Sequence, residues 1–224
     1  MNKTDRGVLY GMVFGDGNLH RTQGSVTYAL TIGHGPKQIE YLEYKANLVH
    51  SIFGGKKPVV NSYNSLNKTM NKVYTNFQFR DTNNYYNQIH RNVYGTGSKR
   101  YTRKTLDYLT DQGLALWFMD DGSGVVCKNK RGNLCGCMIR ISTYCSREDA
   151  LIIQKWFQDK YNLSCVFDVD HRNNLYSIRF KTQDSKTFAS IVEKYLLPSM
   201  RYKVDSILSY VPRVQGILPE TSEG

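Results

Sequence analysis

The sequence contains no long hydrophobic run, and this absence limits where the protein can act. No apolar stretch approaches the ~18 residues that a membrane-spanning helix requires. The N-terminus, MNKTDRG, also lacks the basic and then apolar pattern of a secretory signal peptide. We therefore expect an intracellular protein, in the cytoplasm or an organelle matrix, that is neither secreted nor associated with a membrane.

Cysteine is scarce, with five scattered residues, and an intracellular location predicts reduced thiols rather than disulfides. Zinc ligands usually come in pairs two to four residues apart, a spacing that Cys127, Cys135, Cys137 and Cys145 do not show. Cys135 and Cys137 share one face of a predicted strand, so we expect both to be buried as small apolar side chains. No partner at catalytic or metal-ligand spacing is found for His34, His50, His90 and His171, and we expect His20, just beyond the first motif, to be an ordinary surface histidine.

Acidic residues are few relative to basic ones. Lys and Arg total 30 and Asp and Glu total 19, which gives a net charge of +11. The excess is concentrated in residues 1–110, which carry 15 basic and 6 acidic side chains. A balance of this kind favours association with a polyanion, above all a nucleic acid.

A short pattern occurs twice in the chain. Leu9–Gly17 (LYGMVFGDG) and Leu114–Gly122 (LALWFMDDG) are apolar helical runs that end in Asp-Gly, about 100 residues apart. Gly11 and Gly15, one helical turn apart, allow the first helix to approach a partner closely, whereas the second run is bulkier. Internal repetition of this kind predicts two related halves.

The periodicity of apolar residues predicts the same order of elements in both halves: helix, two strands, helix, two strands, helix. The fold class is therefore α+β. We place the first half at residues 1–94, a basic linker at 95–109, the second half at 110–211 and a flexible tail at 212–224. Predicted strands include Ser25–Ile32, Val73–Arg80 and Cys165–Asp170.

Each repeated run places acidic residues at a helix C-terminus, namely Asp16 in the first copy and Asp120 with Asp121 in the second. The C-terminus of a helix carries partial negative charge, so an aspartate there calls for a cation. Carboxylate oxygens suit Mg²⁺, which can stabilise the attacking and leaving oxygens of a phosphodiester displacement. One Asp-Gly pair alone indicates a turn, but two copies after apolar helices favour a shared metal site.

At these residues the chain resembles the LAGLIDADG homing endonucleases in their single-chain, two-motif form. Residues 117–122 resemble the WFMDDG variant of intron-encoded members. The resemblance implies two pseudo-twofold-related αββαββα halves whose antiparallel sheets form a saddle on duplex DNA. It implies a monomer that cuts both strands at a long specific site, using Mg²⁺ or Mn²⁺, with Ca²⁺ as a non-cleaving substitute.

The resemblance also assigns residues to the reaction. Asp16 and Asp121 become the catalytic, metal-binding acids, with Gly15 and Asp120 as further members of the metal site. Lys203, in the run Pro198–Lys203, and Lys99 correspond to basic residues that relatives place near the scissile phosphates. A cation there can stabilise charge in the transition state.

A sheet that reads DNA turns its polar alternate residues toward the groove. We expect the following residues to face DNA from the strands: Thr27, Thr31, Tyr74, Asn76, Gln78, Arg80, Arg140, Ser142, Ser177, Arg179 and Lys181. Phosphate contacts are expected from the loop residues Lys128, Lys130 and Arg131.

Two other functions fit the same scaffold. One is a maturase that binds its own intron RNA and assists splicing, and the other is a DNA-binding regulator that does not cut. Cleavage with a divalent ion separates the endonuclease from both, and affinity for intron RNA separates the maturase from the regulator.

Overall fold

The computed structural model describes residues 1–211 except Lys68 and Thr96, and of Asn67 it describes the backbone alone. The predicted tail at 212–224 therefore lies outside the described residues. No helix in the described part of the chain is long and apolar enough to cross a bilayer.

The first half has the predicted order of elements. They are α1 (Lys3–Phe14), β1 (Asn18–His20), β2 (Ala29–His34), α2 (Ile39–Phe53), β3 (Asn61–Asn67), β4 (Lys72–Thr82) and α3 (Tyr85–Tyr94). Helix α1 begins at Lys3, where Asn2 caps it by accepting a hydrogen bond from the Asp5 amide at 2.8 Å. Helix α2 ends at Gly54, whose φ of +69° is in the left-handed region that glycine tolerates.

The predicted strand at Ser25–Ile32 is displaced. Strand β2 begins only at Ala29, and the segment before it is held by hydrogen bonds to α3 and the turn that precedes α3. Thr27 donates its hydroxyl to Asn84 (3.0 Å), and the Tyr28 amide donates to Asn87 (2.8 Å). The assignment of Thr27 to a DNA-facing strand is therefore wrong.

A short helix, α4 (Arg103–Asp107), lies between the halves. The second half comprises α5 (Asp111–Asp121), β5 (Gly122–Lys128), β6 (Leu134–Cys145), α6 (Arg147–Tyr161), β7 (Cys165–Asp170), β8 (Leu175–Phe180) and α7 (Thr182–Val192), followed by α8 (Asp205–Leu208). Thr110 and Ser146 cap α5 and α6 by accepting backbone N–H groups, as their side chains favour.

Two four-stranded antiparallel sheets with matching connectivity confirm the predicted α+β class. The strand order is β1-β2-β4-β3 in the first sheet and β5-β6-β8-β7 in the second. Apolar alternate residues such as Ile32, Phe79, Ile139 and Ile178 are buried toward the helices. The opposite face of each sheet carries more of the polar residues, as a one-sided sheet requires.

The segment at 95–109, predicted as a linker, packs against the second half. Tyr101, Leu106 and Leu109 are buried. Arg100 makes a bidentate ion pair with the buried Asp149, at 2.9–3.1 Å, and Asp149 also accepts the Tyr101 amide. This pair fixes the direction in which the chain enters the second half.

Candidate active site at the helix junction

Helices α1 and α5 pack at very short range through glycine. A Cβ atom on Gly11 would lie 2.1 Å from the carbonyl oxygen of Gly113, and one on Gly113 would lie 2.1 Å from that of Gly7. One on Gly15 would lie 2.1 Å from Asp120. At these contacts the residue numbers increase in the same direction along both helices. The helices therefore run parallel, and their C-termini lie side by side. Gly113 was missed in the sequence because it precedes the motif copy.

Three aspartates meet where the two helices end. Asp16 follows α1, and Asp120 and Asp121 are the last two residues of α5. The amide of Asp16 donates to Oδ2 of Asp120 at 3.0 Å, so the second half orients the acid of the first. The Asp120 side chain has no exposed surface, whereas that of Asp16 is 44 % exposed.

Burial and the closeness of the carboxylates disfavour negative charge on Asp16 and Asp121 at this junction. Desolvation and then the charge of Asp120 raise the pKa of Asp16. The same two causes, followed by the charge of Asp16, raise the pKa of Asp121 to about 7. Two negative helix ends lie at the same place, so the junction favours positive charge strongly.

Two lysines, the half-buried Lys99 and the buried Lys203, supply part of that positive charge in matching positions. Lys99 Nζ donates to the carbonyl oxygens of Phe14 (3.1 Å) and Gly15 (2.9 Å) at the end of α1. Lys203 Nζ donates to the carbonyl oxygen of Met119 at 2.5 Å at the end of α5. Burial lowers the pKa of both lysines, while the nearby aspartates oppose this shift. The two sequence-predicted lysines are thus related by the internal repeat.

Two further residues at the site were not anticipated. Lys45, on α2, is fully buried and forms an ion pair with Asp120 (Nζ–Oδ1 2.5 Å), and its Nζ lies 3.1 Å from Nε2 of His34. His34 ends β2 and approaches Asp16 with its Nδ1 at 3.6 Å from Oδ2. The interpretation of His34 as a residue without site partners is therefore wrong.

The sequence held one signal for each of these residues. Lys45 occupies the apolar stripe of α2 that contains Tyr41, Leu42, Ala46 and Val49, where a lysine requires a buried acid. His34 continues the buried alternation of β2. Which acid each would meet depends on tertiary packing and could not be inferred.

Three side chains at the junction lie close enough together to hold a metal ion. Asp16, His34 and Asp120 can each direct a ligand atom to a common point, with those atoms within 4.8 Å of one another. Desolvation and the charge of Lys45 lower the pKa of His34 to about 4, so its imidazole is neutral. Asp120 is already bound to Lys45 and to the Asp16 amide, and the Gly15 carbonyl to Lys99.

The predicted DNA-facing residues divide into three groups. On β4, Tyr74, Asn76, Gln78 and Arg80 alternate with the buried Phe79 side of the strand and share one face. Arg140, Ser142 and Arg179 are partly exposed on the second sheet, while Thr31 is half-buried and Lys181 is exposed just beyond β8. Ser177 is only 1 % exposed, so its expected place at the protein surface is wrong.

The exposure of the basic loop residues and of the cysteines can also be compared with expectation. Lys128, Lys130 and Arg131 are exposed at the β5–β6 turn. Cys137 is buried as expected, whereas Cys135 is exposed, because it lies at the exposed start of β6 beside the β5–β6 turn.

The duplicated fold and the paired helix ends with their acids define the class of single-chain homing endonucleases with two related halves. The chain belongs to the LAGLIDADG DNA endonuclease family, whose pattern it matches over residues 6–188.

Similar proteins include an mRNA maturase and an endonuclease. The cytochrome b mRNA maturase bI2 of Saccharomyces cerevisiae is 26 % identical over 93 % of this chain and 49 % of its own length. The intron-encoded endonuclease ai4 of Dictyostelium discoideum is 31 % identical over 46 % of this chain and 60 % of its own. The chain thus spans about half the length of the curated relatives it matches.

Solved structures share the fold. The homing endonuclease I-WcaI bound to its DNA recognition sequence has a TM-score of 0.76 at 20 % identity, covering 91 % of this chain and 86 % of that one. A variant of I-DmoI in complex with its target DNA and in the presence of 2 mM Mn has a TM-score of 0.51 at 15 % identity, covering 88 % and 98 %.

Proposed function

We propose that this protein is a site-specific endonuclease that cuts both strands of duplex DNA with a divalent metal ion. The observation that carries the proposal is the parallel junction of α1 and α5, where acids from two halves meet two lysines in matching positions. The net charge of +11 supports a nucleic-acid substrate. Since one chain contains both halves, we propose that it acts as a monomer.

Asp16 and Asp121 are the residues that would hold the metal, one at the end of each motif helix. Mg²⁺, or Mn²⁺ in its place, supplies Lewis-acid stabilisation of the attacking and leaving oxygens, and Ca²⁺ is expected to support binding without cutting. Lys99 and Lys203 place positive charge beside each acid, where it stabilises charge on phosphate oxygens. Asp120 is held by Lys45 and orients Asp16 by accepting a hydrogen bond from the backbone amide of Asp16.

The test compares the wild type with Asp16→Asn and Asp121→Asn on a randomised duplex library, with Mg²⁺ and then with EDTA. Asparagine keeps the size of the side chain but removes the charge that a metal requires. We expect metal-dependent double-strand cuts at one long site in the wild type only. Each substitution alone should lower the cutting rate by at least about 100-fold, in the range found when electrostatic stabilisation is removed.

Asp107→Asn is the matched control, since this half-exposed acid on α4 pairs only with Arg103 among the described residues. It should cut like the wild type. Specific binding without cutting in Mg²⁺ or Mn²⁺, unchanged by the two site substitutions, would contradict the nuclease assignment and favour a DNA-binding regulator.

A second candidate function is that of an RNA maturase. It is favoured by the similarity to the yeast mRNA maturase, which extends over 93 % of this chain. The same basic saddle would then bind intron RNA. The measurement is filter binding to RNA transcribed from the DNA that flanks the coding sequence: tight, salt-resistant binding to this RNA but not to unrelated RNA supports this function.

A further inference from the structure

The DNA-facing side of the second sheet carries two arginines directly opposite each other. Arg140 on β6 pairs in register with Arg179 on β8, and their side chains are 38 % and 35 % exposed. Like charges in directly opposed positions of a sheet repel each other. Such a pair needs a compensating anion in the free protein.

Asp168 provides that anion. It lies on β7, diagonal to Arg179 on the same face, and its side chain is 29 % exposed. Its Oδ1 accepts a hydrogen bond from Arg179 Nε at 2.9 Å, and its Oδ2 lies 3.6 Å from Arg140 Nε. One carboxylate thus contacts both guanidinium groups, through a hydrogen bond to Arg179 and a longer ion pair to Arg140, whose Nε has no hydrogen-bond partner among the described residues.

Asp168 contacts each guanidinium group at its Nε atom. Among the residues that the structure describes, neither arginine donates a hydrogen bond from its terminal Nη atoms. Arginine recognises guanine by donating two hydrogen bonds to O6 and N7 in the major groove. Arginines held at Nε lose less side-chain entropy when they make such contacts, because their planes are already oriented.

The corresponding face of the first sheet carries different polar side chains. Its corresponding strand residues on β3 and β4 include Asn61, Asn76 and Gln78, with Arg80 as an arginine, and no acid lies on this face among the described strand residues. Asparagine and glutamine suit adenine rather than guanine. The two sheets therefore present unlike chemistry to the two halves of a target.

Resting on the proposed function, we infer that Asp168 is a positioning residue that presents Arg140 and Arg179 as a preformed pair for guanines under the second sheet. An acid on a DNA-facing surface otherwise weakens binding to phosphates. Its removal should therefore have opposite effects on general affinity and on base discrimination.

The experiment selects bound duplexes from a randomised library in Ca²⁺, so that binding is measured without cutting. It compares the wild type, Arg140→Ala, Arg179→Ala, Asp168→Asn and Asp170→Asn. Asp170 is the matched control because it is the next acid on the same face of β7 and contacts the following turn instead. Thermal unfolding checks that each variant is folded.

We expect the wild type to select guanine at positions that Arg140→Ala and Arg179→Ala relax. Asp168→Asn should relax the same positions, lowering discrimination against other bases about tenfold. Replacing those guanines by 7-deazaguanine, which lacks the N7 acceptor, should weaken wild-type binding but affect Asp168→Asn less. Asp170→Asn should keep the wild-type preferences.

Two results would overturn the inference while leaving the proposed function intact. One is a specific wild-type target at which neither arginine substitution changes a guanine preference. The other is an Asp168→Asn variant that binds more tightly with unchanged preferences, as Asp170→Asn should. Failure of the wild type to select any duplex would instead overturn the proposed function and, with it, the inference.

Discussion

At the scale of single residues, the buried pair of Lys45 and Asp120 is the most consequential feature of the site. Neither side chain has exposed surface, and Lys45 Nζ also lies 4.2 Å from the centre of the Tyr41 ring. A buried ion pair adds little net stability, but removal of one partner leaves an uncompensated charge. The pair therefore makes the position of Asp16 dependent on α2.

We predict that Lys45→Met lowers the free energy of unfolding by about 3–5 kcal/mol, because Asp120 is left buried without its cation. Urea unfolding followed by circular dichroism measures the change. The double variant Lys45→Met, Asp120→Asn should recover most of the loss, since no buried charge remains. A loss below about 1 kcal/mol for the single variant would mean that water or Asp16 rearranges to compensate.

At the scale of elements, the contact between α1 and α5 sets the distance between the two halves of the site. Helix axes usually lie about 8–10 Å apart, and glycine on both sides allows the closest approach. The backbone of each helix here fills the space that a side chain on the other would need. The glycines therefore determine how closely Asp16 and Asp121 approach each other.

We predict that Gly11→Ala destabilises the protein by about 3 kcal/mol or more and impairs cutting, because its Cβ would overlap a backbone atom of Gly113. Alanine favours a helix by about 1 kcal/mol over glycine, so the loss reports packing alone. Gly35→Ala is the control, as its Cβ meets nothing within 4 Å and its φ is −71°. Equal stability of the two variants in thermal unfolding would show that the helices separate without cost.

At the scale of the whole molecule, the net charge is +11, and the polar faces of the two sheets differ in chemistry. Phosphate contacts contribute affinity that depends on salt, and base contacts contribute discrimination. We propose that the exposed basic turn between β5 and β6 makes contacts of the first kind, and that Arg140 and Arg179 make contacts of the second kind.

We predict that replacing Lys128, Lys130 and Arg131 together by Gln weakens binding to all duplexes without changing the preferred bases. The plot of log K against log salt should become shallower by about 0.9 for each phosphate that the variant no longer neutralises. Titrations at several salt concentrations measure this slope. The control triple variant, with Gln at Lys104, Lys155 and Lys194 on the helical side, removes the same charge; an equal change in slope there would mean that the turn does not contact phosphates.

Several features of this protein follow from its sequence alone. The repeated motif predicted two halves, and periodicity predicted most elements, including β7 with the bounds found in the structure. Helix starts at Thr110 and Ser146 and the stop at Gly54 follow from local chemistry, which a few neighbouring residues determine. The strand before β2 was misplaced because contacts with Asn84 and Asn87 replace its ladder.

Only the tertiary structure determined which partner each acidic side chain has. Asp120 and Asp121 are adjacent in the same motif, yet Asp120 forms an ion pair with Lys45, which lies 75 positions away. The pairing of Arg140 and Arg179 with Asp168 likewise requires three strands in register. Local sequence specifies elements because their hydrogen bonds and caps are local. The partners of buried charges are set by how those elements pack, and the spacing of residues along the chain does not record that packing.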